Sequence, residues 1–484
     1  MLRTTRTPNS YIRPEPSLSR LPSADAAWVA GAMVIAVAIG LAGPRTTITL
    51  VVAGIAFALT LSIPSAGLAL LVASVPIQDS WPASIGDLSL PWTRLILFCF
   101  LAAWIVRVSS GRETIRTTPI IWAMAAYLVA LIGSMANATN VSLAAAEIYR
   151  WGIATVVLIA ATSILRTHHD YVGLVFAMTA GTLFSFLVAL YQVWTDSGPE
   201  TFSQRGILRA YGLFGEPNPL AGYLEMVTLP LLAYCLFQGF RGNLGVRFVT
   251  MLALLGSVCG VMALVLTQSR GGVLGFATGV AIFVWYGIAR GGRLVVLGFF
   301  LLAGVILSTP SAAPARAAFA LDALFSRNTV PVTPANFAAQ ERLAHWSAAL
   351  RMWQEHPVFG IGAGNFNERF REFTPVWRFR IPSGHAHNAY LQAASQAGTL
   401  GLICYLAVLG SAWHVCRRRL SRASRADHRA VCCGALAVTA AIVVHNMFDY
   451  LHVLSLGIVL SAIWASVEIV PEARVDVLAA DGDD

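Results

Sequence analysis

Apolar runs of roughly 20 residues, the length at which a helix crosses a bilayer, recur from one end of this 484-residue chain to the other. In hydrocarbon every backbone N–H and C=O must be satisfied within the protein, so only helices and closed barrels can span it. The runs are continuous and do not alternate polar with apolar, which excludes a membrane barrel. Hydrophobic residues make up 57% of the chain and charged residues 12%, where a soluble domain carries about 25% charge. The expected fold is all-α: a polytopic integral membrane bundle of about 12–14 transmembrane helices, judged by span length, with one large, partly helical loop outside.

The candidate spans are 27–43, 46–62, 65–78, 90–106, 119–137, 148–165, 171–193, 219–238, 248–267, 272–289, 293–309, 391–415, 429–447 and 451–469. Arginine decides their direction. All 33 basic residues are Arg; the chain has no lysine. This rules out a phosphate-loop lysine and a Schiff base, and makes every fixed cation a planar fork suited to phosphate. Arg3, Arg6, Arg13 and Arg20, the 107–118 loop, Arg166, Arg241 with Arg247, Arg290 with Arg293, and the arginine-rich stretch 416–429 all fall on one side when these spans are drawn. By the positive-inside rule that side is the cytoplasm. It holds both ends, a tail over 1–25 and an acidic tail over 469–484. The net charge of +9 is mostly explained by these loops and does not argue for nucleic acid.

Loops 194–218 and 310–388 then lie outside. The second is also basic, and loops beyond about 60 residues escape the orientation rule, so its charge needs another reason; an anionic lipid-linked substrate is one. Within it, Phe337, Leu343, Trp346, Leu350 and Trp353 recur at helical spacing and predict a helix over 336–355. The glycine-rich VFGIGAGNF that follows lacks the preceding strand of a dinucleotide site and reads as a close turn. The seven cysteines (99, 235, 259, 404, 416, 432 and 433) avoid the outer loops, so no disulfide framework is expected. No CxxC or His-rich metal spacing appears, and no cofactor is expected.

Ionisable residues at membrane depth are functional candidates by default. Arg209 precedes a Gly/Pro/Asn turn that opens a span; it could snorkel to headgroups, or grip a diphosphate beside the free N–H groups of the helix start. Arg270, in the bare turn LTQSRGG, has the same two readings. His385-Ala386-His387-Asn388 closes the long loop; two His at i, i+2 suit a metal, but no third ligand is evident in the sequence. In the tight turn HNMFDYLH, Asp449 could orient an Arg or His, or simply cap a helix.

These stretches together resemble the O-antigen ligase and polymerase superfamily. The resemblance rests on Arg209 near Pro217-Asn218, on Ser269-Arg270-Gly271, and on His387-Asn388 followed after nine residues by Gly398-x-x-Gly401. It covers about 205–410, flanked by N-terminal helices over 26–204 and C-terminal helices over 411–468. It implies an inner-membrane glycosyltransferase whose active site faces the periplasm, metal-independent and inverting, moving a glycan from a polyprenyl diphosphate donor to an acceptor hydroxyl on a glycolipid (lipid A core) or another glycan. Membrane lipid is the other implied partner, and the implied setting is lipopolysaccharide or surface polysaccharide biosynthesis. Carried over, Arg209 and Arg270 bind the diphosphate and His387 is the general base. Arg205, Asn218, Ser269, His385, Asn388, Gly398, Gly401 and Asp449 are the candidate substrate contacts. A polysaccharide polymerase and a protein O-oligosaccharyltransferase use the same donor chemistry. A transporter or flippase would place its ionisable groups near the bilayer midplane, whereas these gather at helix mouths.

Overall fold

A computed structural model describes residues 44–78, 82–85, 88–204, 207–240, 242–287, 337–374, 384–453 and 455–469. The expected spans at 27–43 and 293–309, and Arg205, lie outside the described residues. Fourteen α-helices are described: α1 (Pro44–Ser62), α2 (Pro64–Ser74), α3 (Trp92–Ser109), α4 (Pro119–Ser134), α5 (Val141–Ile164), α6 (His168–Thr195), α7 (Pro217–Gln238), α8 (Leu244–Thr267), α9 (Arg270–Gly287), α10 (Phe337–Glu355), α11 (Phe366–Phe373), α12 (Ala389–Arg422), α13 (Ala426–His445) and α14 (Leu456–Ser466). Nine helices among the described residues are long and apolar enough to cross a membrane, and two shorter apolar helices lie at 64–77 and 456–466. Residues 1–51 with 83–89 form one compact unit, whose described part is the start of α1 and a short strand at Ala83–Ile85. The second unit, 52–82 with 90–484, holds the remaining helices.

Helix ends are set by local chemistry. Pro64, Pro119 and Pro217 open α2, α4 and α7 at a position whose N–H needs no partner. Asn140 caps α5 by accepting from the amides of Ser142 and Leu143 at 3.1 and 3.3 Å, and Thr167 and Asp170 form a reciprocal capping box on α6. α1 and α2 are separate helices broken at Ile63 before Pro64, and Arg107 of α3 donates to the freed Leu61 carbonyl at 2.7 Å.

Burial places α7 and α13 at the centre. Their apolar windows are 78% and 83% buried, against 50% or less for the other seven long spans. α13 packs on α7 and α9, α8 on α6 and α7, α12 on α4, and α14 on α5. At one end of the bundle the arginines of the basic loops meet acids: Glu113 pairs with Arg107 at 3.5 Å and with Arg166, and Glu468 pairs with Arg419 and accepts from Thr118 at 3.0 Å. At the other end lie the first turns of α7, α9 and α12 and the turn 446–455 between α13 and α14.

That second end carries a cap. The expected helix over 336–355 is α10, and with α11 it makes its own small core of Met352, Ile361, Phe366, Phe370 and Phe373. The glycine-rich stretch is a close turn, with Gly360, Gly362 and Gly364 all at positive φ. Asn137 donates to the Gly360 carbonyl at 2.8 Å, and the buried Asn365 carboxamide accepts from Thr139 and from the Asn140 amide at 3.0 and 2.7 Å. The cap is thereby tied to the α4–α5 loop.

Candidate active site

The site forms where two tight turns and one helix start come together. Gln192 of α6 clamps the first turn, accepting from the Tyr211 and Gly212 amides at 3.2 and 2.9 Å and donating to the Gly212 carbonyl at 2.8 Å. Gly212 and Gly215 supply the positive φ this turn needs. Arg209 is thereby held beside the end of α8. Its Nε donates to the Thr267 carbonyl at 3.0 Å and its Nη2 to Asn218 Oδ1 at 3.0 Å. Ser269 donates to the same Asn218 oxygen at 3.0 Å and accepts from the Gly272 amide at 3.3 Å at the start of α9. One carboxamide therefore joins the two arginine-bearing turns. Arg270 opens α9 and is exposed, whereas Ser269 is buried.

A third cation arrives from the cap. Desolvation, and then the charge of Arg342 on α10, pull the Arg209 guanidinium below its ordinary value, with Arg270 adding to the effect. The charges of Arg270 and Arg342 thus both act on Arg209, and no periodicity in the sequence had singled out Arg342. Glu216, just before α7, is raised by desolvation first and then by Asp449.

Beside this cluster stand three histidines and one carboxylate. Asn388 caps α12 by accepting from the Tyr390 and Leu391 amides, both at 3.0 Å, and its Nδ2 donates to the Met447 carbonyl at 3.0 Å. With the Ala389 amide on the Asn446 carbonyl at 2.8 Å, this ties the start of α12 to the 446–455 turn. The consequence is that Asp449 meets the two histidines of the loop: its Oδ1 lies 3.5 Å from His387 Nδ1 and 3.7 Å from His385 Nε2. These three groups supply the third ligand that the sequence lacked for a metal site, all within 4.8 Å of one another. The same set also makes a close histidine–aspartate pair, with His387 Nδ1 and Asp449 Oδ1 at 3.5 Å. Burial raises the Asp449 carboxyl, but the hydrogen bond from His387 and the neighbouring imidazoles hold it well below the usual carboxylate range, so it is ionised at neutral pH.

The histidines are not equivalent. Burial pushes the His385 ring down to about 4 against the pull of Asp449. Its Nδ1 accepts from the His387 amide at 3.2 Å, which leaves the proton of the neutral ring on Nε2, facing Asp449. His345 of α10 is pushed to about 4, first by burial, and stacks on Phe370 at 4.5 Å between ring centroids. The His387 ring stands edge-on to both, 4.4 Å from His385 and 5.4 Å from His345. His387 adopts φ 49°, a left-handed conformation that costs a non-glycine residue roughly 1 kcal/mol or more. Its carbonyl accepts from Trp346 Nε1 of the cap at 3.3 Å.

Behind the site is a pair absent from the sequence reading. Glu225 of α7 and His445 of α13 face each other at 3.0 Å, 0% and 1% exposed. The glycines of α9 permit this packing: a Cβ at Gly271 would lie 2.7 Å from the His445 ring, and one at Gly275 would lie 2.9 Å from the Ala441 carbonyl. An acid within an otherwise apolar helix was the signal available for Glu225.

Gly398 and Gly401 lie further along α12, about 15 and about 20 Å from Asn388 at helical rise. Gly398 (φ 66°) makes the kink in α12. There the cap docks through the Thr399 amide on the Pro357 carbonyl at 2.7 Å and the Ile361 amide on the Ser395 carbonyl at 2.9 Å. The expected sites thus fall into two groups. Arg209, Asn218, Ser269, Arg270, His385, His387, Asn388 and Asp449 share one end of the bundle; Gly398 seats the cap, and Gly401 packs within α12 and toward Tyr127 of α4.

Residues 255–406 match the family described as O-antigen ligase, a segment that includes Arg270, Arg342, His345, His385 and His387. This chain is similar to the O-antigen ligase family over that segment, about a third of its length. No curated protein matches it. The similarity points to ligase-type glycan transfer in a multi-pass membrane protein, with a lipid-linked glycan and an acceptor as the general partners. Within the matched segment α9 supplies Arg270, α10 supplies Arg342 and His345, and the loop before α12 supplies His385 and His387, while Arg209, Asn218 and Asp449 come from outside it.

Proposed function

We propose that the protein is an inner-membrane glycosyltransferase that moves a glycan from a polyprenyl diphosphate to an acceptor hydroxyl on the periplasmic side. The carrying observation is the convergence of Arg209, Arg270 and Arg342 beside the His387–Asp449 pair. Guanidiniums gathered in this way suit a diphosphate, each offering a planar two-pronged contact to its oxygens. The ionised Asp449 beside Nδ1 of His387 favours the proton of the neutral ring on that nitrogen, so that Nε2 is the basic one.

The acceptor oxygen attacks the anomeric carbon as the bond from that carbon to the diphosphate oxygen breaks. The acceptor proton passes to His387, and the electron pair of the broken bond leaves on the polyprenyl diphosphate. Arg209 and Arg270 stabilise the charge that develops there. The sugar arrives activated, so no nucleotide is needed, and His387 with the arginines accounts for the step without a metal. Attack opposite the leaving group inverts the anomeric carbon.

The test is glycan transfer in membranes carrying His387→Ala or His385→Ala, each with and without chelator. Loss with His387→Ala, substantial retention with His385→Ala and indifference to chelator are expected. Equal loss from both substitutions together with chelator sensitivity would replace the proton-transfer scheme by a metal held by His385, His387 and Asp449.

A further inference from the structure

On the far side of Asp449 is a polar enclosure that the transfer chemistry does not use. A cavity of ≈ 350 Å³ opens between α3, α5, α14 and the turn before α14, within the range of about 300–1,000 Å³ typical of ligand pockets. Leu97, Ile458 and Trp464 give it apolar walls, and Arg94 and Arg150 are the charged residues that line it. Arg150 is paired with Glu147, which is itself held by the Tyr450 hydroxyl at 2.5 Å. Arg94, in the first turn of α3, makes no ion pair among the described residues.

Gln78 also lines the cavity and is 3% exposed. Its Oε1 accepts from the Ser455 amide at 3.0 Å, while its Nε2 has no hydrogen-bond partner. A buried donor left unmet among the described residues costs about 1–3 kcal/mol, and beside it stand the Arg94 guanidinium and the Arg150 guanidinium, the latter already held by Glu147 behind the lining. Donors of this kind call for an anion, and the apolar walls call for a ligand with hydrocarbon attached to it.

We propose that this cavity is a second binding site, for the anionic phosphate headgroup of an amphiphile. Arg94, Arg150 and the Gln78 amide are its donors, and Leu97, Ile458 and Trp464 receive the first carbons of the tail. The site is separate from the Arg209–Arg270 cluster. Between them runs the sequence of contacts Arg150–Glu147–Tyr450, with Tyr450 adjoining Asp449 in the chain and its ring 5.8 Å from that of His385. The proposal stands independently of the glycan-transfer reading.

The test uses the full chain purified in a neutral detergent, with short-chain phosphatidic acid as probe and binding read by native mass spectrometry. Short-chain diacylglycerol and inorganic phosphate are the comparison ligands. Phosphatidic acid should bind the wild type, and both Arg94→Gln and Gln78→Leu should weaken it about tenfold without lowering the melting temperature. Arg209→Gln should leave that binding unchanged. Diacylglycerol should not compete, and inorganic phosphate should compete only far more weakly. Equal binding by wild type and Arg94→Gln, equal competition by diacylglycerol, or loss of binding in Arg209→Gln would each overturn the proposal. Displacement by inorganic phosphate at the concentration of the lipid would make this a free-phosphate site and overturn the amphiphile assignment.

Discussion

At the level of single residues, His387 and His385 separate two chemistries that the sequence left side by side. Removing a general base costs about 10²–10⁴ in rate, so His387→Ala should abolish measurable glycan transfer. His385 sits neutral, with its protonation level pushed to about 4 by burial. Its role is to hold Asp449 and the His387 amide in place, so His385→Ala should retain much of the activity. Arg270→Lys separates cation from fork. Lysine keeps the charge but not the two-pronged planar contact, and the loss should be on the order of a hundredfold in protein that still inserts and accumulates. Near-normal transfer by that variant would make Arg270 a surface anchor and remove it from the diphosphate site.

At the level of elements, the kink of α12 is where the cap meets the membrane helices. A Cβ at Gly398 would fall inside the Val358 carbonyl, and φ there is 66°. Gly398→Ala should therefore destabilise by about 1–3 kcal/mol, seen as a lower melting temperature in detergent. Gly410→Ala, in the same helix with nothing within 4 Å of its Cβ, should be neutral or slightly stabilising; matching melts for the two variants would remove the docking role of Gly398. The cap also carries a pH dependence of defined sign. His345 is held near 4, below its ordinary value of 6.5, so between those limits the unfolded chain binds the proton and the folded chain does not. Stability from this group is complete above about 6.5 and is lost as pH falls toward 4. His345→Phe should keep the stacking on Phe370 and shrink the drop in melting temperature between pH 7 and pH 5, and an unchanged drop would count against it.

At the level of the whole molecule, the glycan-transfer reading depends on sidedness. In a cysteine-free background, Glu200→Cys and Gln354→Cys should react with an impermeant thiol reagent from outside the inner membrane, and Ser424→Cys only from inside. All three positions are exposed, whereas His345 itself is fully buried and would be a poor reporter. Labelling of Gln354→Cys from inside alone would end the periplasmic reading.

What could be read from the sequence follows from interactions that are local or set by the solvent. Helix length and continuous apolarity are imposed by the bilayer, so the membrane helices and the amphipathic α10 were visible without coordinates. The same holds for short motifs: the Asn388 cap and the Ser269-Arg270 turn are closed by residues a few positions apart. The partners were not visible. Asp449 reaches His387 across 62 positions of chain, and Glu225 reaches His445 across 220. Arg342 and His345 join only because α10 folds back onto α12. The apolar spans are too uniform for pattern alone to tell which faces meet, and small residues such as Gly271 and Gly275 permit close packing without naming the partner. That choice is made by packing over the whole bundle. It turned an i, i+2 histidine pair with no evident third group into a histidine–aspartate site, and it set Gly398, expected at the substrate, against the backbone of the cap.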